Sequence, residues 1–283
     1  MHCQGRLVVK VFMKGKSGFF SLCLWGLLCN CPIAEAVEVK GLYEIELIAN
    51  SQSAEDRTQA IKQAMYAVLS RVLVSEDISK IPVVQQALSS AQNYVKQSQF
   101  SLISADELPD TDARLLRVQF DEDQLMEVMR KSQVGIWSEI RPETLVWLVV
   151  DDEEGRRFYN ADSMPELESA LAFASKIKGV PMIFPMLDLE EQQKISLSEV
   201  LGADSRNLLA VSARYEVTSV MAGRIAKKGD CWQGEWAFYF DGKIKQWSGA
   251  CLPLKAAMVA GVQGAYDVLS NYYGVKPEAS AAH

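Results

Sequence analysis

The N-terminal segment of this 283-residue chain constrains its fold and compartment most, because its composition is typical of a cleavable signal peptide. Four basic residues and no acidic residue precede Glu35. The apolar stretch 18–28 lies after the basic residues and before Glu35. That stretch is far shorter than the roughly 20 apolar residues that a membrane-spanning helix needs. Ala34-Glu35-Ala36 then supplies the small-x-small pattern of a cleavage site. We predict a signal peptide over residues 1–36 and a periplasmic mature protein.

Two alternatives concern the same segment. Met13 is a second candidate start, since Met13 to residue 36 is itself a signal peptide of ordinary length. A lipoprotein is less favoured, because Leu28 and Asn30 precede Cys29 and Cys31 where lipidation requires a small residue. We expect membrane association only in that lipoprotein case.

Removal of residues 1–36 makes the chain more acidic. Lys and Arg fall from 29 to 25 and Asp and Glu from 36 to 35, so the formal charge moves from −7 to −10. An acidic chain without a basic patch argues against nucleic acid or anionic lipid as a partner. The 49% hydrophobic content is typical of a globular protein.

The same removal leaves only Cys231 and Cys251 of six cysteines. A pair of cysteines in an oxidising compartment predicts a disulfide. The chain between them predicts a hairpin that turns at Phe240-Asp241-Gly242. We favour a three-residue turn, because it sets the two cysteines directly opposite each other. A two-residue Asp-Gly turn would place them on opposite faces and oppose the bond.

The fold class predicted from the patterns is α+β, with two domains that each contain a small sheet and packed helices. The predicted N-terminal domain is 37–137, and its elements follow the order β-α-α-β-β-α. They are strand 43–47, a helix capped by Ser53, a helix from Pro82, strands 99–104 and 114–120, and a helix capped by Asp121.

The second predicted domain, 144–275, follows a linker at 138–143 and precedes a disordered tail at 276–283. Its central strand is the apolar run Leu145–Val150. A mixed α/β sheet is expected to end in the hairpin and a closing helix. The other elements are a helix begun by the capping box Ser163–Glu166, strand 180–186, two short helices, strand 218–225 and the closing helix 253–273.

Several classes of chemistry are excluded by residue type. The two histidines are His2 and His283, so the predicted mature fold has none for a Ser-His-Asp triad or a zinc site. No phosphate-binding or dinucleotide-binding glycine motif follows a predicted strand. We therefore expect no cofactor, and the chain is more consistent with a binding protein than with an enzyme.

Acidic residues after two predicted strands are the remaining candidates for chemistry. Asp151 and Asp152 follow the central strand, and Asp188 and Glu190 follow the next one. Carboxylates at one sheet end are ligands for Ca²⁺ or Mg²⁺. The loops 151–154 and 188–191 therefore support an alternative hypothesis, a metal-binding protein or hydrolase, although solvated surface loops explain them more simply.

Aromatic residues concentrate in the hairpin. Trp232, Trp236 and Phe238 share a face by alternation, and Trp247 falls on the other face in the favoured register. Packing against the closing helix is the favoured explanation. The alternative is an exposed patch that binds a protein partner.

The sequence also resembles the uncharacterised secreted gamma-proteobacterial family called domain of unknown function 2066. The resembling segments are 43–47, 115–121, 136–137, 141–148, 184–189 and the series at 213–215, 222–224, Trp232 and Trp236. More remotely, 144–275 resembles the α/β module of the TolB N-terminal domain, CsgG and LpoB, through a strand-helix-strand opening, Tyr-x-Val-x-x-Val-x-Ala-Gly at 215–223, a Trp-bearing hairpin and a terminal helix.

The remote resemblance implies an envelope protein that binds protein partners, and it supplies no catalytic residue. Together with the predicted export and the lack of a histidine in the predicted mature fold, it leads to our main hypothesis. We predict a non-enzymatic periplasmic module that binds another envelope protein.

Overall fold

The computed structural model describes residues 36–75, 77–102, 112–202 and 204–276, and it confirms the α+β class. The predicted signal peptide and tail lie outside this part, apart from residues 36 and 276. Its α-helices are α1 (Ala54–Ser70), α2 (Pro82–Ser89), α3 (Glu122–Ser132), α4 (Pro165–Lys178), α5 (Leu189–Lys194), α6 (Arg206–Ser212) and α7 (Leu254–Tyr273).

The β-strands complete the description of this part of the chain. They are β1 (Ala36–Glu38), β2 (Glu44–Ala49), β3 (Leu73–Val74), β4 (Val95–Ser101), β5 (Arg114–Phe120), β6 (Gly135–Ile136), β7 (Ile140–Pro142), β8 (Thr144–Asp152), β9 (Gly155–Phe158), β10 (Met182–Ile183), β11 (Ser219–Lys228), β12 (Cys231–Phe240) and β13 (Lys243–Ser248). Within the described residues, no helix is both long enough and apolar enough to cross a membrane.

The N-terminal half contains an antiparallel sheet in the order β2-β5-β4. Apolar residues of β2 and β5 form one core with residues of α1, α2 and α3. The predicted caps are confirmed, since Ser53 accepts a hydrogen bond from the Asp56 N–H and Asp121 accepts one from the Gln124 N–H. Both helices therefore begin where the side-chain oxygens satisfy unpaired N–H groups of the first turn.

The C-terminal half contains a six-stranded mixed sheet in the order β10-β8-β11-β12-β13, and β9 pairs with β8. The strands β10, β8 and β11 are parallel, and the other pairings are antiparallel. Alternate residues of β8 pack against α4 and α7 on one face and against α6 on the other. The predicted mixed sheet, hairpin and closing helix are all confirmed.

Three local predictions were wrong. Residues 151–154 were expected to form a loop, but Asp151 and Asp152 are the last two residues of β8, which pairs with β9. Ser163 does not cap α4; Met164 occupies the N-cap position, because residues 161–163 already form a separate 3₁₀ turn. The predicted strand 180–186 is reduced to the two residues of β10, since prolines flank it on both sides.

The predicted three-residue hairpin turn was also wrong. Phe240 pairs with Lys243 and Trp236 pairs with Trp247. The turn is the two-residue Asp241–Gly242, with φ angles of 51° and 69°, as an Asp-Gly turn of this kind requires. A shift of one residue turns every side chain of a strand to the other face. Trp247 therefore lies on the same face as Trp236.

The predicted disulfide between Cys231 and Cys251 is confirmed, with 5.4 Å between the Cα atoms. The Gly249 N–H donates to the Gly234 carbonyl, which continues the register set by the two-residue turn. Farther from the turn, Trp232 pairs with Leu252, whereas that register would pair it with Cys251. The returning chain thus carries one extra residue, which is a β-bulge. Because the bulge shifts the pairing, our expectation that a two-residue turn would oppose the disulfide was wrong.

Replacing both cysteines with serine is expected to lower the free energy of unfolding by about 2 kcal/mol, because the bond closes a 20-residue separation in the unfolded chain. Urea denaturation of the oxidised protein and of the double variant measures the difference. Equal midpoints and slopes would contradict a stabilising role for the disulfide.

Two buried arginines connect the halves of the molecule. Arg141 donates to five backbone carbonyls, those of Arg71, Trp137, Ser138, Lys178 and Gly179. Its guanidinium also lies 4.0 Å from the centre of the Trp137 ring. Carbonyls at the end of α4 carry partial negative charge, so this is a favourable position for a cation.

Arg71 is buried in the same way and donates to the carbonyls of Gly41, Glu44 and Lys176. Burial lowers the pKa of both Arg71 and Arg141 to about 10, which leaves both charged at neutral pH. Backbone carbonyls of both halves therefore solvate two charges inside the protein.

Residues 138–143, predicted as a linker, include β7, which pairs with β1, and the fully buried Arg141. A second connection is the Tyr266 hydroxyl, which donates to the Leu73 carbonyl. These contacts lie within residues 34–283, which form one compact unit. The division into two domains stays a prediction.

Candidate functional site

The first acidic candidates, Asp151 and Asp152, are the last residues of β8, beside the turn to β9. Asp151 accepts hydrogen bonds from Arg156 at 2.9 Å and from Arg224 at 2.5 Å. Asp152 accepts hydrogen bonds from Arg157. Arginines of β9 and β11 thus neutralise the two carboxylates. These contacts explain why the end of β8 pairs with β9.

The second acidic candidates, Asp188 and Glu190, belong to the start of α5. Asp188 caps the helix by accepting from the Glu191 N–H and also pairs with Arg214, while Glu190 pairs with Lys194. No contact joins Asp188 or Glu190 to the β8–β9 turn among the described residues. The structure does not bring the two loops together into one site.

The most buried carboxylate of this region is Glu191, which belongs to the predicted acidic loop 188–191. The Glu191 side chain is fully buried and accepts from the Leu187 N–H at 2.6 Å and the Tyr215 hydroxyl at 2.5 Å. Leu187 has a φ of 52°, which is unusual for a leucine. Glu191 therefore holds a strained turn in place, and its role is structural.

A metal site receives no geometric support in the part of the chain that the structure describes. No group of three or more His, Cys, Asp or Glu residues there is arranged to hold an ion. The four predicted ligands instead have cationic partners. The metal-binding or hydrolase alternative stays a prediction.

The ion pairs of Asp151 predict a pH dependence of stability. Hydrogen bonds from Arg224 and Arg156 lower the pKa of the Asp151 carboxyl below its usual value. Its contribution to stability is therefore complete above the unfolded-state pKa of about 4 and is lost as the pH falls through the lower folded-state pKa. We expect Asp151→Asn to reduce the loss of stability between about pH 5 and pH 2, measured by urea denaturation at each pH. An unchanged slope would contradict this assignment.

The four aromatic candidates of the hairpin have two different environments. Trp236 and Phe238 are buried, with 3% and 1% of their surface exposed, so neither can form a surface patch in this conformation. Trp232 and Trp247 are half-buried. The structure therefore places two of the four in the core beneath α7 and packs the other two against that core, as the favoured explanation expects.

Three glycines make room for Trp236. A methyl group built on Gly223, Gly234 or Gly261 would overlap the ring, and a methyl group on Gly264 would overlap Trp247. These positions lie on β11, β12 and α7. The two indoles thus fix how α7 lies on the hairpin and hold β13 in position.

The hairpin does offer a different surface, the free edge of β13. Within the described residues β13 pairs only with β12, and its side chains are exposed except for half-buried Trp247. Lys243 is the first residue after the two-residue turn. The backbone N–H and C=O groups of Lys243 and of the other odd-numbered residues of β13 therefore point to β12. The 2.8 Å bond from the Gly249 N–H to the Gly234 carbonyl follows this alternation.

It follows that the backbone N–H and C=O groups of Ile244, Gln246 and Ser248 point away from the sheet. Such a row of unpaired groups is a template for another strand. We name this row, with the side chains of Lys243–Ser248, the β13 edge.

The two faces of the β13 edge differ in chemistry. Lys243, Lys245 and Trp247 lie on the α7 face, where Lys245 is 3.4 Å from Asp267. A cleft of about 660 Å³ opens beside Lys245, and its lining is rich in polar groups, including those of Gln263 and Asn271.

Ile244 lies on the α6 face and is 58% exposed. It borders a smaller cleft of about 360 Å³, which is lined mainly by apolar side chains such as Leu209, Val217 and Tyr239. A strand added to the β13 edge would therefore meet a polar, lysine-bearing surface on one side and an apolar cleft on the other.

The residues of the β13 edge other than Trp247 were missed as candidates. One signal was available, since no predicted strand follows the hairpin and the last strand of a sheet is often an edge. The two lysines of Lys243-Ile-Lys-Gln-Trp-Ser248 are also typical of edge strands. The wrong turn length prevented a correct assignment of their faces.

Residues 36–138 match a family described as "Domain of unknown function (DUF8605)". This agrees with the expectation of an uncharacterised family, but it does not confirm the designation 2066. No curated protein matches the chain.

One solved structure is similar to part of the chain. It is the LpoB C-terminal domain from Salmonella enterica, at 15% identity and a TM-score of 0.25, over 39% of this chain and 82% of that chain.

Proposed function

We propose that this protein is an exported, periplasmic, non-enzymatic module that binds another envelope protein through the β13 edge. The observation that carries the proposal is the six-residue edge strand with exposed side chains and outward backbone groups. Adding a strand to an exposed sheet edge is a common mode of peptide recognition, since main-chain hydrogen bonds supply affinity.

The location rests on two features. The first is the basic, apolar and small-residue order of residues 1–36. The second is the disulfide between Cys231 and Cys251, because such bonds persist in oxidising compartments such as the periplasm.

The rigidity of the β13 edge also supports binding. Trp247 packs against Gly264 of α7, and the disulfide holds the far end of the hairpin beyond the bulge. A strand that is already ordered loses little conformational entropy when a partner pairs with it.

Site-specific photo-crosslinking in the native host tests the proposal. A photoreactive amino acid at Ser248 is expected to give one defined adduct with an envelope protein, whereas the same amino acid at Lys62, exposed on α1, gives none. Gln246→Pro removes an outward N–H without breaking the ladder with β12, so it should abolish the adduct. Gln246→Ala changes the same side chain but keeps the N–H, and it should retain the adduct.

Two outcomes would overturn the proposal. One is the absence of any adduct from Ser248 when the protein is exported and folded. The other is an adduct that persists unchanged in Gln246→Pro, since binding would then not use the backbone of the β13 edge.

A further inference from the structure

We infer that the β13 edge selects an extended partner segment in which acidic residues alternate with apolar ones. This inference rests on the proposed function and deepens it by naming the chemistry of the partner. Successive side chains of a strand point to opposite faces, and the two faces of the β13 edge differ in chemistry. Together these two facts determine the pattern expected of the partner segment.

The α7 face of the edge favours acidic residues. Lys243 and Lys245 are two residues apart, so a strand paired with β13 places its own alternate residues directly opposite them. Lys243 has no ion-pair partner among the described residues, and Lys245 has only Asp267 at 3.4 Å. Opposite charges at directly opposed positions stabilise a strand pair, and like charges destabilise it.

The α6 face favours an apolar residue between the acidic ones. Ile244 lies between the two lysines in sequence but on the opposite face, at the mouth of the apolar cleft with Leu209 and Tyr239. A partner side chain opposite Ile244 can bury its surface in this cleft. The minimal partner pattern is therefore acidic-apolar-acidic.

Two of the antiparallel registers open to a second copy of this chain bring lysines together at the edge. Antiparallel pairing of two β13 strands about Ile244 sets Lys243 opposite Lys245, and pairing about Lys245 sets that lysine opposite itself. Charge complementarity instead favours a different, acidic segment.

Designed peptides test this inference on the purified protein. The probe is a fluorescent peptide of about eight residues in which Glu and Val alternate, a length close to that of an average strand. One control peptide has the same composition with its Glu and Val residues in two blocks, and the other alternates Lys and Val. We expect the alternating acidic peptide to bind at least about tenfold more tightly than either control, measured by fluorescence anisotropy.

Variants connect the binding to the β13 edge. Lys243→Glu with Lys245→Glu is expected to weaken binding about tenfold. The matched control, Lys62→Glu with Lys96→Glu, makes the same charge change elsewhere on the surface and should leave binding unchanged. Gln246→Pro should abolish binding, and Gln246→Ala should retain it.

Hydrogen exchange supplies a measurement that does not depend on any variant. Peptide binding is expected to slow exchange at the Ile244, Gln246 and Ser248 amides, which point outward, and not at the Lys243 and Lys245 amides, which already face β12.

The two proposals fail in different ways. Equal affinity for the alternating and block peptides, or no protection at Ile244 and Gln246, overturns the inference about partner chemistry even if the Ser248 crosslink forms. Loss of the crosslink in the host overturns the proposed function even if the designed peptide binds. An adduct whose contacting segment lacks the acidic-apolar-acidic pattern also overturns the inference and leaves the proposed function standing.

Discussion

Replacing Arg141 with methionine is expected to lower the free energy of unfolding by about 3–5 kcal/mol. Methionine keeps much of the side-chain volume but removes all the N–H donors that satisfy five carbonyls. Buried carbonyls without a donor retain their desolvation cost. The loss in free energy of unfolding therefore exceeds that expected from removing five hydrogen bonds at the surface. Urea or thermal denaturation at neutral pH measures the effect.

The matched control is Arg206→Met. Arg206 is exposed and pairs with Asp204 at the surface, so its loss is expected to change stability little. If the two variants are destabilised equally, the carbonyl network around Arg141 does not hold the halves of the molecule together.

The second large effect is expected from Gly261→Val. In an exposed helix the loss of a glycine usually improves helix propensity, so an ordinary helix would tolerate this change. Here the new side chain overlaps the ring of Trp236, which Gly223 and Gly234 confine from the other directions. We expect a loss of about 3 kcal/mol, because a closely packed core accommodates extra volume only by moving its backbone or its side chains.

Two comparisons isolate the clash. Ala256→Val makes a similar change at an exposed position of α7 and should be nearly neutral. Trp236→Leu should cost less in the Gly261→Val background than in the parent, since a smaller side chain relieves the overlap. Additive losses in this double-mutant cycle would contradict the packing argument.

Local signals in the sequence predicted many elements well. Ser53 and Asp121 start α1 and α3 because each cap needs only a side-chain oxygen and the N–H three residues later. The closing helix and the Cys231–Cys251 disulfide also follow from local spacing and cysteine count.

The errors arose where contacts between two strands, or between a strand and a helix, decide the structure. Whether residues 155–158 form a strand depends on Arg156 and Arg157 pairing with Asp151 and Asp152. The hairpin turn could close with two or three residues, and only packing of Trp247 against α7 distinguishes the two registers. A shift of one residue hid the β13 edge.

The buried arginines were not foreseen for a similar reason. Nothing near Arg71 or Arg141 in the sequence indicates burial, because their acceptors are backbone carbonyls that carry no sequence signature. The segment around Arg141-Pro142 was predicted as a linker on composition alone.

The carbonyl acceptors of Arg71 and Arg141 also determine the order in which parts of the chain can complete their folding. Arg71 requires the carbonyl of Lys176, and Arg141 requires those of Lys178 and Gly179. While the chain is being synthesised or translocated, the side chains of Arg71 and Arg141 lack these acceptors until residue 179 has emerged. We therefore expect the N-terminal half to remain open to chaperones and proteases until α4 has emerged, even though its own helices and strands are already complete.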